Sequence, residues 1–208
     1  MIDVNWILFL IASTAVICMP GQDLILVMSR SITQGPIAGI YTAAGVGGGL
    51  LVHTILASIG IGAVVTASEL LFNILKWIGA IYLLYLGVML FRAKAQELEF
   101  NAEAARSHSK LFLDGALSNV ANPKIAIFFL AFLPQFVNPT ATKPTLSILV
   151  LGLGFALLTF VIKGTVAYFS GQLSAWFRKQ PSYLRRIHQL SGLTLIALGL
   201  KLAFEQRP

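Results

Sequence analysis

The sequence carries little charge and almost no cysteine. Of its 208 residues, 11% are Asp, Glu, Lys or Arg and only 8 are acidic, whereas a soluble domain has about 25% charged residues. The single cysteine, Cys18, excludes an intramolecular disulfide, a CxxC redox pair and a thiolate metal cage, and we expect its side chain to be buried. These shortages exclude a separate soluble enzyme domain.

Hydrophobic residues dominate the chain instead. They make up 57% of it, and the mean hydropathy is +0.82. Since each crossing helix needs about 20 mostly apolar residues, we predict an all-α, multi-pass membrane protein with six transmembrane helices. The predicted spans are 4–29, 37–66, 70–92, 111–136, 144–172 and 184–204. An arrangement of five full spans, with one broken helix re-entrant, stays open.

Positive charge exceeds negative charge, with 15 Lys and Arg residues. No basic run with interleaved aromatic residues tracks a phosphate backbone, so we predict no nucleic-acid partner. The bases fit the positive-inside rule when both termini lie outside, which predicts an N-out/C-out topology. The cytoplasmic loops then receive Arg30, Arg92, Lys94, Arg106, Lys110, Arg178, Lys179, Arg185 and Arg186, and the outside receives Lys143, Lys201 and Arg207.

The two halves of the chain correspond in outline. Each has a proline inside its first span, at Pro20 followed by Gly21 and at Pro123 preceded by Asn122, which predicts two broken helices. We predict a first three-helix repeat over 1–92, a polar cytoplasmic linker over 93–110 and a second, inverted three-helix repeat over 111–208. This inverted repeat is typical of secondary transporters, whose broken helices meet near the membrane midplane and line a binding site.

The second span is rich in glycine. Gly45 and Gly49 have the small-xxx-small spacing that lets two helices approach closely. Such packing can occur within one chain or between two copies, so a homodimer stays open.

Several short motifs follow each other along the chain. They are 19–23 (MPGQD), 29–31 (SRS), 34–35 (QG), 79–87 (GAIYLLYLG), 122–124 (NPK) and 132–136 (FLPQF). Together they resemble the lysine exporter (LysE) superfamily, in particular its RhtB-like branch of amino-acid efflux proteins, although the first motif has Gln22 where a frequent form has a second proline. The resemblance covers nearly the whole chain and implies export of amino acids or close derivatives across the cytoplasmic (inner) membrane of a bacterium, driven by an ion gradient.

Asp23 and Lys124 occupy matching places just after the two predicted breaks. An ionised Asp at the centre of a membrane helix costs about 2.5–3.5 kcal/mol, so Asp23 should face the bundle interior. We predict that Asp23 attracts the substrate ammonium or carries the coupling proton, and that Lys124 binds the carboxylate with help from backbone N–H groups after Pro123. A structural ion pair of Asp23 with Lys124 or Arg30 is the alternative.

Polar neighbours complete the predicted substrate site. Gln22 lies beside Asp23, while Asn119 and Asn122 are three residues apart and either line the same surface or hydrogen-bond the broken backbone. We expect neutral substrates, because lysine or arginine would need further acidic groups inside the spans.

Further ionisable groups lie along the predicted pathway. His53 is a candidate proton relay, since the unperturbed pKa of imidazole lies near neutrality, although a hydrogen-bonded core histidine is the alternative. Lys163 lies in mid-span, and Arg30 follows Asp23 by seven residues on about the same helical face. Lys76 lies near a span end, where it can reach the interface. The three histidines are too far apart in sequence to suggest a metal site, and we predict neither a metal nor a cofactor.

These patterns favour a secondary exporter of small amino acids of the homoserine, threonine or leucine type, with proton exchange as the coupling. The predicted partners are the amino-acid substrate, protons and the lipid bilayer. A passive channel, or an exporter of another small solute such as a basic amino acid, is the alternative. A membrane enzyme is not expected, because no nucleophile–base pair, HExxH helix or paired cysteine is present. A scaffold role would leave the paired breaks unexplained.

Overall fold

The described part of the chain folds almost entirely into helices. The computed structural model describes residues 4–19, 21–67, 69–92, 105–137, 143–179 and 181–204. The helices are α1 (Trp6–Cys18), α2 (Gln22–Gln34), α3 (Pro36–Ala67), α4 (Glu69–Arg92), α5 (His108–Val120), α6 (Pro123–Ile127), α7 (Pro144–Lys179) and α8 (Pro181–Phe204). A π-helical turn, Phe128–Phe132, and a 3-10 turn, Leu133–Phe136, follow α6.

Both helix breaks lie where the prolines predict them. The axes of α1 and α2 differ by 57°, and α5 differs by 55° from the segment Pro123–Phe136. Met19 and Asn122, the residues before the prolines, have extended backbones, since a following proline disfavours helical dihedrals. Pro20 itself lies outside the described residues, whereas Pro123 is the first residue of α6, where its missing N–H costs nothing.

Corresponding helices of the two halves pack against each other. Helix α3 lies along α7, and α4 lies along α8, while α3 also packs on α5. Glycines make the α4–α8 contact close: a Cβ on Gly87 would lie 2.8 Å from the Gly192 carbonyl oxygen, and a Cβ on Gly192 would lie 2.7 Å from that of Gly87. At the α3–α5 contact, a Cβ on Gly45 would collide with the Phe112 carbonyl. These glycine faces are therefore filled within the chain.

The outer faces of the helices are apolar. Ile7, Ile59 and Leu157 expose 75%, 68% and 66% of their surface, which suits lipid rather than water. By length and composition two described helices can cross a membrane, α3 and α7, and four spans result if each bent pair counts as one. Cys18 is exposed on this outer surface, so the expectation that it is buried was wrong: it lies on the face of α1 opposite the core residues.

The described residues confirm the predicted all-helical architecture, and two to four candidate spans agree with a multi-pass membrane protein. The helix bounds follow the predicted spans to within a few residues at most ends, and α7 continues to Lys179, beyond the predicted end at 172. The six-span count, the inverted repeat and the N-out/C-out orientation stay predictions. Residues 93–104 of the predicted linker lie outside the described residues, and α5 begins at His108, inside its predicted end.

Candidate functional site

A buried carboxylate lies next to the first helix break. Asp23 lies in the first turn of α2, directly after the first helix break, and its side chain is 4% exposed. The Lys163 Nζ of α7 donates a hydrogen bond to Asp23 Oδ2 at 3.3 Å, and the two groups form an ion pair. Lys163 is buried too. This ion-pair partner differs from Lys124 and Arg30, the two that the sequence suggested.

Helix α5 supplies two further donors to the same carboxylate. The Asn119 side-chain amide donates to Asp23 Oδ2 at 2.8 Å, and the Ser118 hydroxyl donates to Oδ1 at 3.3 Å. Asp23 is therefore held by groups from two other helices, one of which ends at the second break. Such a carboxylate is satisfied as the anion, because both of its oxygens accept hydrogen bonds.

Lys124 brings a second ammonium group to this region. It is the second residue of α6, and a Cβ on Gly21 would lie 3.2 Å from its Nζ, so the absence of a side chain at Gly21 leaves room for the ammonium. Lys124 interacts electrostatically with both Asp23 and Lys163. In the described part of the chain this cluster, defined as Asp23, Lys124, Lys163, Asn119 and Ser118, holds one acid and two bases. The two helix breaks thus meet, as predicted.

His53 contacts the cluster through the backbone of Asn119. Its Nε2 is 3.2 Å from the Asn119 carbonyl oxygen, to which it donates, and its ring packs near that of Phe129. Asn119 is in the last turn of α5, and its carbonyl oxygen also accepts a hydrogen bond from the Asn122 N–H at 3.0 Å, so the imidazole is a further donor to that oxygen. His53 is thus a hydrogen-bonded buried histidine that is linked to Asp23 through Asn119.

Asn122 completes the second break. Its side chain accepts a hydrogen bond from the Lys124 N–H at 3.1 Å, and its carbonyl accepts from Ile125 N and Ala126 N, each at 3.1 Å. These backbone N–H groups are therefore already bonded within the chain. The expectation that they help to bind a substrate carboxylate is not supported, because the capping geometry uses them.

Gln22 does not reach the cluster. It is exposed at the surface of α2, whereas its neighbour Asp23 is buried. Its exposure therefore does not place Gln22 with the buried residues of the cluster, and the role of Gln22 in the substrate site stays a prediction.

Arg30 belongs to a different ion-pair group, nearer the end of α2. Its Nη2 lies 3.5 Å from Asp114 Oδ2, and the Arg106 Nη1 lies 2.6 Å from the same oxygen. Asp114 is on α5, inside the predicted fourth span, so the expectation that the spans hold no further acid was wrong. Two arginines therefore pair with Asp114.

Sequence reasoning missed Ser118 and the pairing of Lys163 with Asp23. Ser118 carries no signal of its own, since a lone serine in a helix is common. Among the described residues no group of His, Cys, Asp or Glu could hold a metal ion. His108 instead stacks on Tyr41, with ring centroids 4.3 Å apart.

Comparison with known proteins identifies a family whose sequences match this chain. The model of the LysE type translocator family matches residues 14–206. Over 199 residues the chain is 31% identical to a homoserine/homoserine lactone efflux protein of Salmonella typhimurium, with 95% of each chain covered. A leucine efflux protein of Klebsiella pneumoniae is 25% identical over 200 residues, with 96% of this chain and 94% of the relative covered. No solved structure matches the chain.

Proposed function

Because the chain belongs to the LysE type translocator family, we propose that it is a secondary active exporter of small amino acids or their derivatives, coupled to proton exchange. The names of its relatives support amino-acid efflux, of homoserine and its lactone in one case and of leucine in another. The observation that carries the proposal is the Asp23–Lys163 ion pair, buried between the two broken helices with Lys124 beside it.

The charges of the cluster match the two ends of an amino acid. The substrate ammonium would replace Lys163 Nζ at Asp23, and the released Lys163 and Lys124 would both face the substrate carboxylate. Breaking a buried ion pair by removing one partner costs about 3–5 kcal/mol, so a ligand must offer a replacement charge to each side. A zwitterion does so, whereas a purely cationic or purely apolar solute does not.

The same carboxylate is suited to carry the coupling proton. Protonation of Asp23 removes the negative charge that holds either Lys163 or the substrate ammonium. Proton entry from outside would thus release the amino acid there, and loss of the proton to the cytoplasm would let the pair with Lys163, or a new substrate, form again. In this scheme one site on Asp23 binds proton and substrate alternately, which gives exchange rather than leak.

The packing of the helices supports the inverted-repeat topology proposed for this transport. The pairs α3–α7 and α4–α8 join corresponding elements of the two halves, and the two bends are 57° and 55°. We infer that 1–92 and 111–208 are the repeats, that 93–110 is cytoplasmic and that both termini lie outside. Rocking of the two halves about the cluster would expose it to either side in turn.

Efflux from cells preloaded through dipeptides tests this function. Labelled homoserine, threonine, leucine and lysine are followed in wild type, Asp23→Asn, Lys124→Ala and the control Lys76→Ala, with and without an uncoupler. Lys76 makes a cation–π contact with Trp77, 5.8 Å from the ring centroid, outside the cluster. We expect the uncoupler, Asp23→Asn and Lys124→Ala each to reduce export at least tenfold and Lys76→Ala to leave it unchanged.

Other outcomes would redirect the assignment. Export of lysine alone would indicate a basic amino-acid exporter, and uncoupler-insensitive flux with single-channel currents would indicate a passive channel. If Asp23→Asn exports normally in a gradient-dependent way, the proposed coupling through this carboxylate is wrong.

A further inference from the structure

We propose that Arg30 of α2, Asp114 of α5 and Arg106, just before α5, form the cytoplasmic gate of this carrier. Together with Gln34 they make a latch between the Asp23 cluster and the predicted cytoplasmic surface, and α2 and α5 separate at this latch when an amino acid enters from the cytoplasm. The inference rests on the proposed export function and on the predicted topology, and it names the residues that control access to the site.

Three bonds close the latch. The Arg30 Nη2 lies 3.5 Å and the Arg106 Nη1 lies 2.6 Å from Asp114 Oδ2, so one carboxylate oxygen joins two guanidinium groups. The Arg106 backbone N–H donates a hydrogen bond to the Gln34 side-chain oxygen at 2.8 Å. Gln34 is the last residue of α2. The segment that leads into α5 is thus bonded to the end of α2 as well as to α5 itself.

The latch continues the contact that holds the cluster. Asp23, at the start of α2, accepts hydrogen bonds from Ser118 and Asn119 near the end of α5. Arg30, seven residues further along α2, reaches Asp114, one turn earlier on α5. The two helices are therefore antiparallel here, and the latch lies about 10 Å from the cluster along α2. The end of α2 and the start of α5 both lead into loops predicted to be cytoplasmic, so the latch lies between the cluster and that side.

Exposure rises along this contact towards the predicted cytoplasmic side. The exposed fraction of the side chain is 4% for Asp23 and 5% for Arg30, and it reaches 24% for Asp114 and 36% for Arg106. This order is expected of side chains that close a path leading inward from water. The latch is closed in this structure, and Asp23 is buried behind it.

The contact between α2 and α5 is the one that can open. Helix α5 lies against α3 with its backbone, since a Cβ on Gly115 would collide with the Thr42 carbonyl. The described bonds between α2 and α5 use side chains instead. A partly exposed ion pair contributes little net stability, because water solvates the separated charges. The latch can thus open without disturbing the packing of α5 on α3.

Cross-linking tests whether the latch must open. In a Cys18→Ser background, Gln34→Cys and Arg106→Cys are joined by a short bis-methanethiosulfonate reagent in inside-out vesicles, where proton-driven uptake of labelled homoserine corresponds to export. The matched control joins Tyr41→Cys and His108→Cys, whose rings stack across the α3–α5 contact with centroids 4.3 Å apart. Each rate is measured before cross-linking, after it and after reduction.

We expect the cross-link between α2 and the segment before α5 to lower the rate at least about tenfold, and reduction to restore it, because the gate cannot open while the two are joined. The control pair should change the rate less than about twofold. An unchanged rate with the first pair joined would overturn the gate. Equal inhibition by both pairs would also overturn it, since that inhibition would come from fixing α5 and not from the latch.

A labelling measurement that needs no transport separates this inference from the proposed function. Ser118→Cys, in the same Cys18→Ser background, is exposed to an impermeant maleimide from the cytoplasmic face of inside-out vesicles, with and without Asp114→Asn. Because Asp114→Asn removes the negative charge of the latch, we expect labelling to be about twofold to fivefold faster. Glu69→Gln, at the start of α4 on the predicted outside, is the control and should not change the labelling rate.

The labelling result also decides if the double-cysteine variant does not fold. Labelling that Asp114→Asn does not accelerate would overturn the latch, even if export is normal. Faster labelling in a carrier that transports no amino acid would uphold the latch and contradict the proposed function.

Discussion

Asp23 accepts hydrogen bonds from three side chains and makes its ion pair with the most distant of them in sequence. Asn119 and Ser118 hold its orientation, while Lys163 supplies the charge. Three donors fix the position of this carboxylate, but the positive charge that pairs with it is carried by the long, flexible side chain of Lys163. Lys163 is therefore the member of the cluster that can move aside at least cost when a ligand brings its own ammonium group.

Removing either half of the buried pair should destabilise the protein. Lys163→Met leaves Asp23 without its cation, and Asp23→Asn leaves Lys163 without its anion, each at a cost of about 3–5 kcal/mol. We expect each single variant to lower the thermal midpoint in detergent by about 10 °C. The double variant should recover most of this loss and still fail to export, since the site has lost its charges. Additive losses in the double variant would show that the two groups do not act as a pair.

Much of the site at this scale could be predicted from the sequence. Asp23 and Lys124 follow prolines that break helices, and a proline acts locally, whatever the rest of the fold does. The Asp23–Lys163 pair spans 140 residues, so it depends on how α7 is rotated and shifted against α2, which no local pattern records. The burial of Asp23 and the exposure of its neighbour Gln22 depend on the rotation of α2 for the same reason.

At the scale of helices, close approach of the two backbones stabilises the packed pairs α4–α8 and α3–α5. Between membrane helices there is little hydrophobic driving force, so close packing through small residues contributes more than it would in water. Across the α4–α8 contact, a Cβ on either Gly87 or Gly192 would lie less than 3 Å from the carbonyl oxygen of the other. Across the α3–α5 contact, Gly115 packs against the Thr42 carbonyl. The spacing of Gly45 and Gly49 predicted close packing, but it could not name α5 as the partner.

A glycine-to-alanine substitution should destabilise the protein at these close contacts but not at an open position. Gly87→Ala places a Cβ 2.7 Å from Ile196 Cγ1 and 2.8 Å from a carbonyl oxygen, so α4 and α8 must move apart. At Gly60 no atom of the described residues lies within 4 Å of an added Cβ, which makes Gly60→Ala the control. We expect the first variant to lower the thermal midpoint by several degrees and the control to leave it unchanged or raise it slightly, because alanine favours helix. Equal midpoints would contradict a packing role for Gly87.

At the scale of the whole molecule, the apolar outer faces and the distribution of bases together determine how the chain sits in a membrane. The outer faces suit lipid, and the excess of bases on one set of the predicted loops predicts which way the chain faces. Composition alone predicted the membrane class, because the chain has too few polar residues for a surface in water. The number of full crossings depends on the two bent pairs, and hydropathy does not distinguish a bent span from a re-entrant one.

Cysteine labelling tests the orientation directly. In a Cys18→Ser background, Lys143→Cys, Arg207→Cys and Glu99→Cys are exposed in turn to a membrane-impermeant maleimide. We expect Lys143→Cys and Arg207→Cys to react in intact cells and Glu99→Cys only after permeabilisation. Protection of Arg207→Cys together with reaction of Lys143→Cys would favour five spans, and labelling of Glu99→Cys in intact cells would reverse the topology.

The presence of one carboxylate and two ammonium groups in the described cluster has an energetic consequence. One carboxylate carries one proton, so each cycle that exports a zwitterion would move a single positive charge inward, and the membrane voltage would contribute to the work as well as the pH difference. A potential of 100 mV, negative inside, is worth about 2.3 kcal/mol per charge, enough to sustain about a fifty-fold outward gradient. Such a carrier would keep exporting when the pH is equal on both sides, as long as the voltage persists.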